Sequence, residues 1–165
     1  MNQETVNMRR RGFVATLLGA VTLPVIAGAA AGDAPKVDKL VRSDAEWKKI
    51  LTPAQYDVLR DEGTERPFTS PHNAEKRKGT FICVACDHPL YTSEMKYDSG
   101  TGWPSFFATI PGAFETKRDF KHILPRTEYH CARCGGHHGH VFDDGPKPTG
   151  QRWCNNGVAL SFKPA

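Results

Sequence analysis

Residues 131–157 read Cys131-Ala-Arg-Cys134-Gly-Gly-His137-His138-Gly-His140-Val-Phe142-Asp-Asp-Gly-Pro-Lys-Pro-Thr-Gly-Gln-Arg152-Trp-Cys154-Asn-Asn156-Gly157. The stretch opens on a Cys-x-x-Cys pair, and a second pair lies upstream at Cys83-Val-Ala-Cys86. A two-residue spacer lets both sulfurs turn toward one centre. Two such turns provide the four thiolates that a tetrahedral Zn2+ prefers, with no open position for catalysis. Gly135-Gly136 supplies pliable backbone behind the second pair, and Asp87-His88-Pro89 turns the chain after the first. The pairs are 44 residues apart, so the metal would staple distant parts of the chain rather than close a compact ribbon. Two disulfides, or one thioredoxin-like redox pair, compete with this reading. A Cys-x-x-Cys disulfide is more often redox-active than structural, and no thioredoxin-type βαβ pattern is present. The expectation is one structural zinc on Cys83, Cys86, Cys131 and Cys134.

The chain has five cysteines, so an all-disulfide framework is excluded and one thiol has another task. That thiol is Cys154. Arg152, two residues before it, would favour a thiolate, and His137, His138 and His140 lie upstream. A cysteine with separate histidines is the usual set for nucleophilic chemistry. On spacing alone a buried structural cysteine, a second metal site and plain surface histidines stay open.

Outside these motifs the texture is that of one small domain. The chain has 165 residues, 24% of them charged and 39% hydrophobic, which excludes a disordered tail and a multi-span membrane protein. Ser43 can cap a helix, with Glu46 three residues on and Trp47, Ile50 and Leu51 on one face. Thr52-Pro53 begins a second helix, with Tyr56 and Leu59 inward and Gly63 at its end. Beyond Gly79 short β-rich runs alternate with Gly and Pro: residues 80–82, 106–110, 122–124, 128–130 and 158–162. The expected fold is mainly β, a small helical part on antiparallel sheets.

Residues 1–31 read as an export signal. Arg9, Arg10 and Arg11 precede an uncharged run from residue 13 to 31 that ends in small residues. Arg10-Arg11-Gly12-Phe13-Val14 fits a twin-arginine signal, two arginines followed by apolar residues, and a chain exported folded can carry its metal with it. An uncleaved anchor is the competing reading, weakened by Gly12, Gly19, Pro24 and Gly28. Residues 32–42 read as a polar linker, and the domain as 43–165. Arg9, Arg10, Arg11 and Glu4 leave with the signal, so 19 of 22 basic and 18 less one acidic residues remain, a net charge of +2. Lys76-Arg77-Lys78 is too short a cluster to demand a nucleic acid. The expectation is a periplasmic protein, monomeric, touching membrane only through its signal.

The stretch 131–157 closely resembles the signature of B-type peptide-methionine (R)-S-oxide reductases. Gly63-Thr-Glu-Arg-Pro-Phe-Thr69, the Cys83/Cys86 pair and Ser99-Gly-Thr-Gly-Trp103-Pro-Ser-Phe106 agree, in order, from about residue 43 to 162. The resemblance implies antiparallel sheets of the β-tent (Mss4-like) architecture with a structural zinc. It implies Cys154 as nucleophile, His140 and His137 as the proton-handling pair, and Asn156 at the polar end of the site. Trp103 would pack on the substrate's S-methyl group, with Phe142 and Arg152 also at the substrate. Oxidised proteins would be the substrates and a thioredoxin-like protein or small thiol the reductant.

Two departures stand out. Many members carry a resolving cysteine two residues before the tryptophan; here that residue is Thr101. Trp153 replaces the Tyr that commonly precedes the nucleophile, and Gly157 replaces a Ser. With four thiols committed to zinc, the sulfenic acid left on Cys154 is expected to be reduced directly by an external thiol. A Cys/His hydrolase or transferase would need an oxyanion hole and acyl substrate that nothing in the sequence signals. A zinc-stapled binding module without catalysis is the alternative of a different class.

Overall fold

The computed structural model describes residues 36–121 and 124–165. The signal segment, the start of the linker, and His122 and Ile123 of one expected strand lie outside the described residues. Residues 36–42 have no regular structure but are docked: the Leu40 N–H donates to the Arg133 carbonyl at 2.7 Å, and Lys39 pairs with Glu115.

Helix α1 spans Asp44–Ile50. Ser43 and Glu46 form the reciprocal capping box expected from their spacing, the Ser43 N–H donating to Glu46 Oε2 at 2.8 Å. Trp47 and Leu51 are buried, whereas Ile50 points to solvent, 51% exposed, so the inward face is narrower than expected. Helix α2, Pro53–Asp61, has Pro at its first position and a second capping box between Thr52 and Gln55. Leu59 is buried and Tyr56 half-buried. The left-handed residue ending α2 is Glu62 (φ 58°), not Gly63. Gly63 instead lies so close to Asp57 that a Cβ would stand 2.1 Å from its carboxylate.

Nine strands follow among the described residues: β1 (Gly79–Cys83), β2 (Pro89–Thr92), β3 (Lys96–Tyr97), β4 (Ser105–Phe106), β5 (Phe114–Asp119), β6 (Arg126–Cys131), β7 (His137–Phe142), β8 (Arg152–Asn155) and β9 (Leu160–Pro164). They make two antiparallel sheets, a three-stranded one ordered β2-β1-β9 and a six-stranded one ordered β3-β4-β8-β7-β6-β5. The expected strand over 106–110 stops at Phe106. The one over 158–162 begins with a 3-10 turn at Gly157–Ala159 and extends to Pro164, and Leu124 is exposed outside any strand. Strand β5 (Phe-Glu-Thr-Lys-Arg-Asp) lacks the apolar alternation that signals a strand. It is an edge strand whose side chains are largely solvated, and cross-strand hydrogen bonds rather than burial define it. Strand β2 also lies at an edge, where a leading Pro costs no ladder bond.

The core gathers Trp47, Leu59, Phe81, Leu90, Tyr91 and Phe106, with Tyr91 stacked on Phe106 at 3.7 Å. At its centre the hydroxyls of Tyr91 and Tyr129 and the Asn155 amide oxygen lie 3.0–3.2 Å apart, which satisfies the polar ends of fully buried rings. This network holds β8 immediately beside Cys154. Among the described residues no helix is long and apolar enough to cross a membrane.

Candidate active site and metal centre

The two Cys-x-x-Cys turns have the same construction. The Cys83 carbonyl accepts from the Asp87 N–H at 2.8 Å, and the Cys131 carbonyl accepts from the Gly135 N–H at 2.8 Å. Each loop closes on a left-handed residue, Asp87 at φ 57° and Gly135 at φ 69°, so an Asp fills in the first knuckle the role Gly fills in the second. The turns bring Cys83, Cys86, Cys131 and Cys134 together, all buried, with their sulfurs within 4.8 Å of one another. Cys83 and Cys134 Sγ are 3.7 Å apart, and Cys86 and Cys131 Sγ 3.6 Å. Four sulfurs about 2.3 Å from a tetrahedral centre stand about 3.8 Å apart. The four thiols therefore fit a metal ion. Arg60 and Arg133 donate to knuckle carbonyls at Cys134, Gly135 and Cys86, keeping the turns closed.

Cys154 lies elsewhere, half-buried on β8, at a cavity of about 280 Å3 over the six-stranded sheet. Strand register explains the assembly. His140 on β7 is directly opposite Cys154, and Glu128 on β6 is directly opposite His140. Cross-strand partners share a face, so one row carries all three. Phe142 and Arg152 form the next row, the guanidinium 4.4 Å from the ring centroid and held by Asp144 at 2.8 Å. Trp103 closes another wall, its indole N–H donating to the Glu65 carbonyl at 3.1 Å. Asn156 is also at the wall, but both ends of its amide are engaged, accepting from Glu65 N–H and donating to the His138 carbonyl. Of the residues singled out, Cys154, His140, Asn156, Trp103, Phe142 and Arg152 line this cavity; His137 does not.

A family model, the SelR domain, matches residues 51–164. The peptide methionine sulfoxide reductase MsrB of Agrobacterium fabrum is 54% identical over 131 residues, 79% of this chain and 95% of that protein. Its counterpart in Pseudomonas putida is 54% identical over 130 residues, covering 78% and 96%. That of Methanosarcina barkeri is 51% identical over 123, covering 74% and 87%. The chain belongs to the B-type methionine sulfoxide reductases. Its enzyme class is that of the peptide-methionine (R)-S-oxide reductases, which are oxidoreductases.

In this reductase the three histidines of the run part company. His138 is the extra residue of a β-bulge, because Tyr129 pairs with Gly139 while His130 pairs with His137. Without the bulge, strand alternation would set His137 and His140 on opposite faces. With it their rings meet, centroids 5.4 Å apart. His138 turns into the core, fully buried against Phe114, with neither ring nitrogen hydrogen-bonded. Burial pushes its pKa down to about 3. The folded protein thus keeps it neutral where the unfolded chain protonates it, below about pH 6.5. Stability falls as pH drops through that value, by about 1.4 kcal/mol per unit from this group, and levels off near 3. Unfolding free energies measured between pH 5 and 7 are expected to show a smaller slope in His138→Leu than in the wild type.

Arg126 at the pocket wall, and Asp119 behind His140, are groups that sequence reading missed. Asp119 accepts from His140 Nε2 and from Arg126, each at 2.8 Å, and from the Lys121 N–H. These bonds, led by the Lys121 N–H, hold its carboxyl well below the usual carboxylate range. Both Asp119 and Arg126 come from the β5–β6 hairpin, whose charged sequence carries no motif. Thr101 lines the same cavity as Cys154, its hydroxyl bonded to that of Ser99 at 2.9 Å. Burial pushes the Cys154 thiol up, against the opposing pull of Arg152. The expected thiolate-favouring effect of Arg152 is therefore present but outweighed at rest. Burial likewise lowers the pKa of His140, partly offset by Asp119.

Proposed function

We propose that this enzyme reduces the R epimer of peptide-bound methionine sulfoxide to methionine in the repair of oxidised proteins. The observation that carries the reading is the convergence of Cys154, His140 and Trp103 on one small cavity. The Cys154 thiolate attacks the sulfoxide sulfur, and oxygen passes to Cys154 with uptake of one proton, leaving methionine and a cysteine sulfenic acid. The sulfoxide sulfur is thereby reduced by two electrons and the cysteine sulfur oxidised by two. His140, held through Nε2 by Asp119, handles the proton on oxygen. The indole of Trp103 receives the S-methyl group, and exclusion of the other epimer follows from that fit. Phe142 and Arg152 line the substrate side, and Asn156 secures the backbone of the polar end.

An external thiol then attacks the sulfenic acid, releasing water. A second thiol, from the same thioredoxin-like protein or another small molecule, frees Cys154. Thr101 beside Cys154, and the gathering of the other four cysteines in the metal centre, support this direct route. Cys83, Cys86, Cys131 and Cys134 would hold one Zn2+, whose contribution is to tie β1 to β6 rather than to react. The twin-arginine pattern in residues 9–14 supports export to the periplasm.

Single turnover of R-sulfoxide without reductant tests the route. The expected product is one sulfenic acid per chain, trapped by dimedone at Cys154; an intramolecular disulfide would refute it. Turnover on both epimers with several thiol donors tests the substrate. Since burial raises the Cys154 thiol pKa, kcat/KM is expected to rise with pH from 7 to 9 as thiolate forms. Arg152→Met removes the opposing cation, so the rise should move to higher pH by about one unit and the rate at pH 7.5 fall roughly tenfold.

A further inference from the structure

A second polar cavity, of about 290 Å3, lies on the same face of the six-stranded sheet as the reaction pocket. His137 lines it with Glu128, Lys117 and Glu62, while His140 lines the reaction pocket. The rings of His137 and His140 thus stand at the seam between the two. His137 is 3% exposed; its Nδ1–H donates to Glu128 Oε1 at 2.8 Å, and its Nε2 is buried without a partner. Glu128 is equally buried, and Lys117 reaches its other oxygen at 3.0 Å. Lys117, Glu128, His140 and Cys154 are successive cross-strand partners, a continuous row from the edge of the sheet to the nucleophile.

We infer that Glu128 is a positioning residue for the reduction, and that the second cavity is its proton inlet. This rests on the sulfoxide chemistry proposed above. Transfer of oxygen to the Cys154 thiolate consumes one proton, and the reaction pocket is closed by substrate when that proton is needed. Glu128 fixes His137 in the tautomer with Nδ1–H toward the carboxylate. Held in this way, His137 relays a proton from the second cavity to His140, whose ring it meets at 5.4 Å between centroids. The other charged and titratable groups facing the pair are Lys117 from β5, His130 from β6, His140 from β7, and Arg60 and Glu62 from the end of α2.

The test is the pH profile of kcat for the metal-loaded full chain on a dabsylated methionine R-sulfoxide with dithiothreitol. Glu128→Gln is expected to lower kcat at pH 8 at least threefold, with KM changed less. It should also move the alkaline limb to lower pH by at least half a unit, because a neutral amide replaces the carboxylate beside the relay. Lys117→Met, at a half-exposed position, is expected to move that limb the other way, and decides the matter if Glu128→Gln does not fold. Glu128→Asp should recover part of the rate. An unmoved limb, whether or not the rate falls, overturns the inference and leaves Glu128 a structural residue. Failure of the sulfoxide reading itself is scored separately, on turnover by Cys154→Ser.

Discussion

Cys154→Ser is expected to abolish reduction of methionine R-sulfoxide, by at least about a thousandfold, while zinc content and fold are unchanged. Serine is nearly the shape of cysteine, and half-buried Cys154 lies outside the cluster of core residues. It sits at a cavity wall on β8, whose place is held by its neighbour Asn155 through the buried tyrosines. What serine cannot do is attack sulfur as a soft thiolate and then accept oxygen. The measurement is steady-state turnover beside metal analysis and thermal unfolding. Full turnover in Cys154→Ser would exclude the mechanism. Lost turnover together with lost zinc would place Cys154 in the metal centre, against its separation from the group of four.

The second large effect is expected at the knuckles. Cys86→Ser removes one of four thiolates from a buried set whose sulfurs already stand at tetrahedral spacing. Structural zinc in small domains contributes about 10–16 kcal/mol of apparent binding free energy, which is folding free energy. Loss of most of it would cancel the stability of an ordinary domain, about 5–15 kcal/mol. The variant is expected to bind less than about one fifth of the wild-type zinc and to be largely unfolded at 37 °C. Wild type treated with a strong chelator should follow it. Zinc analysis with circular dichroism checks both, and a Cys86→Ser chain with unchanged melting would show that the metal is dispensable. The damage would reach the candidate active site, since β6 carries Cys131 at one end, Glu128 within and Arg126 at the other end.

Much of this was legible in the sequence because it depends on spacing alone. Both Cys-x-x-Cys pairs form the knuckles their spacing allows, and a Ser or Thr with Glu or Gln three residues on caps each helix. The separation of four cysteines from Cys154 likewise follows from counting. The edge strand β5 was not legible, because its charged residues are solvated and only hydrogen bonds to β6 make it a strand. Asp119 and Arg126 were missed with it.

The amino-acid order by itself thus determined the local pieces: the capped helices, the paired knuckles, the odd thiol and the histidine run. Only the tertiary structure decided where each histidine of the run points. The run as written has His137, His138 and His140 nearly equivalent. A single bulge at His138 sends that ring into the core and returns His137 to the face of His140. Register then sets Glu128 opposite His140 and His140 opposite Cys154. The physical reason is that a strand's register is a property of the pairing between distant segments. A one-residue slip exchanges its faces, and nothing within one strand's own residues records where its partner begins.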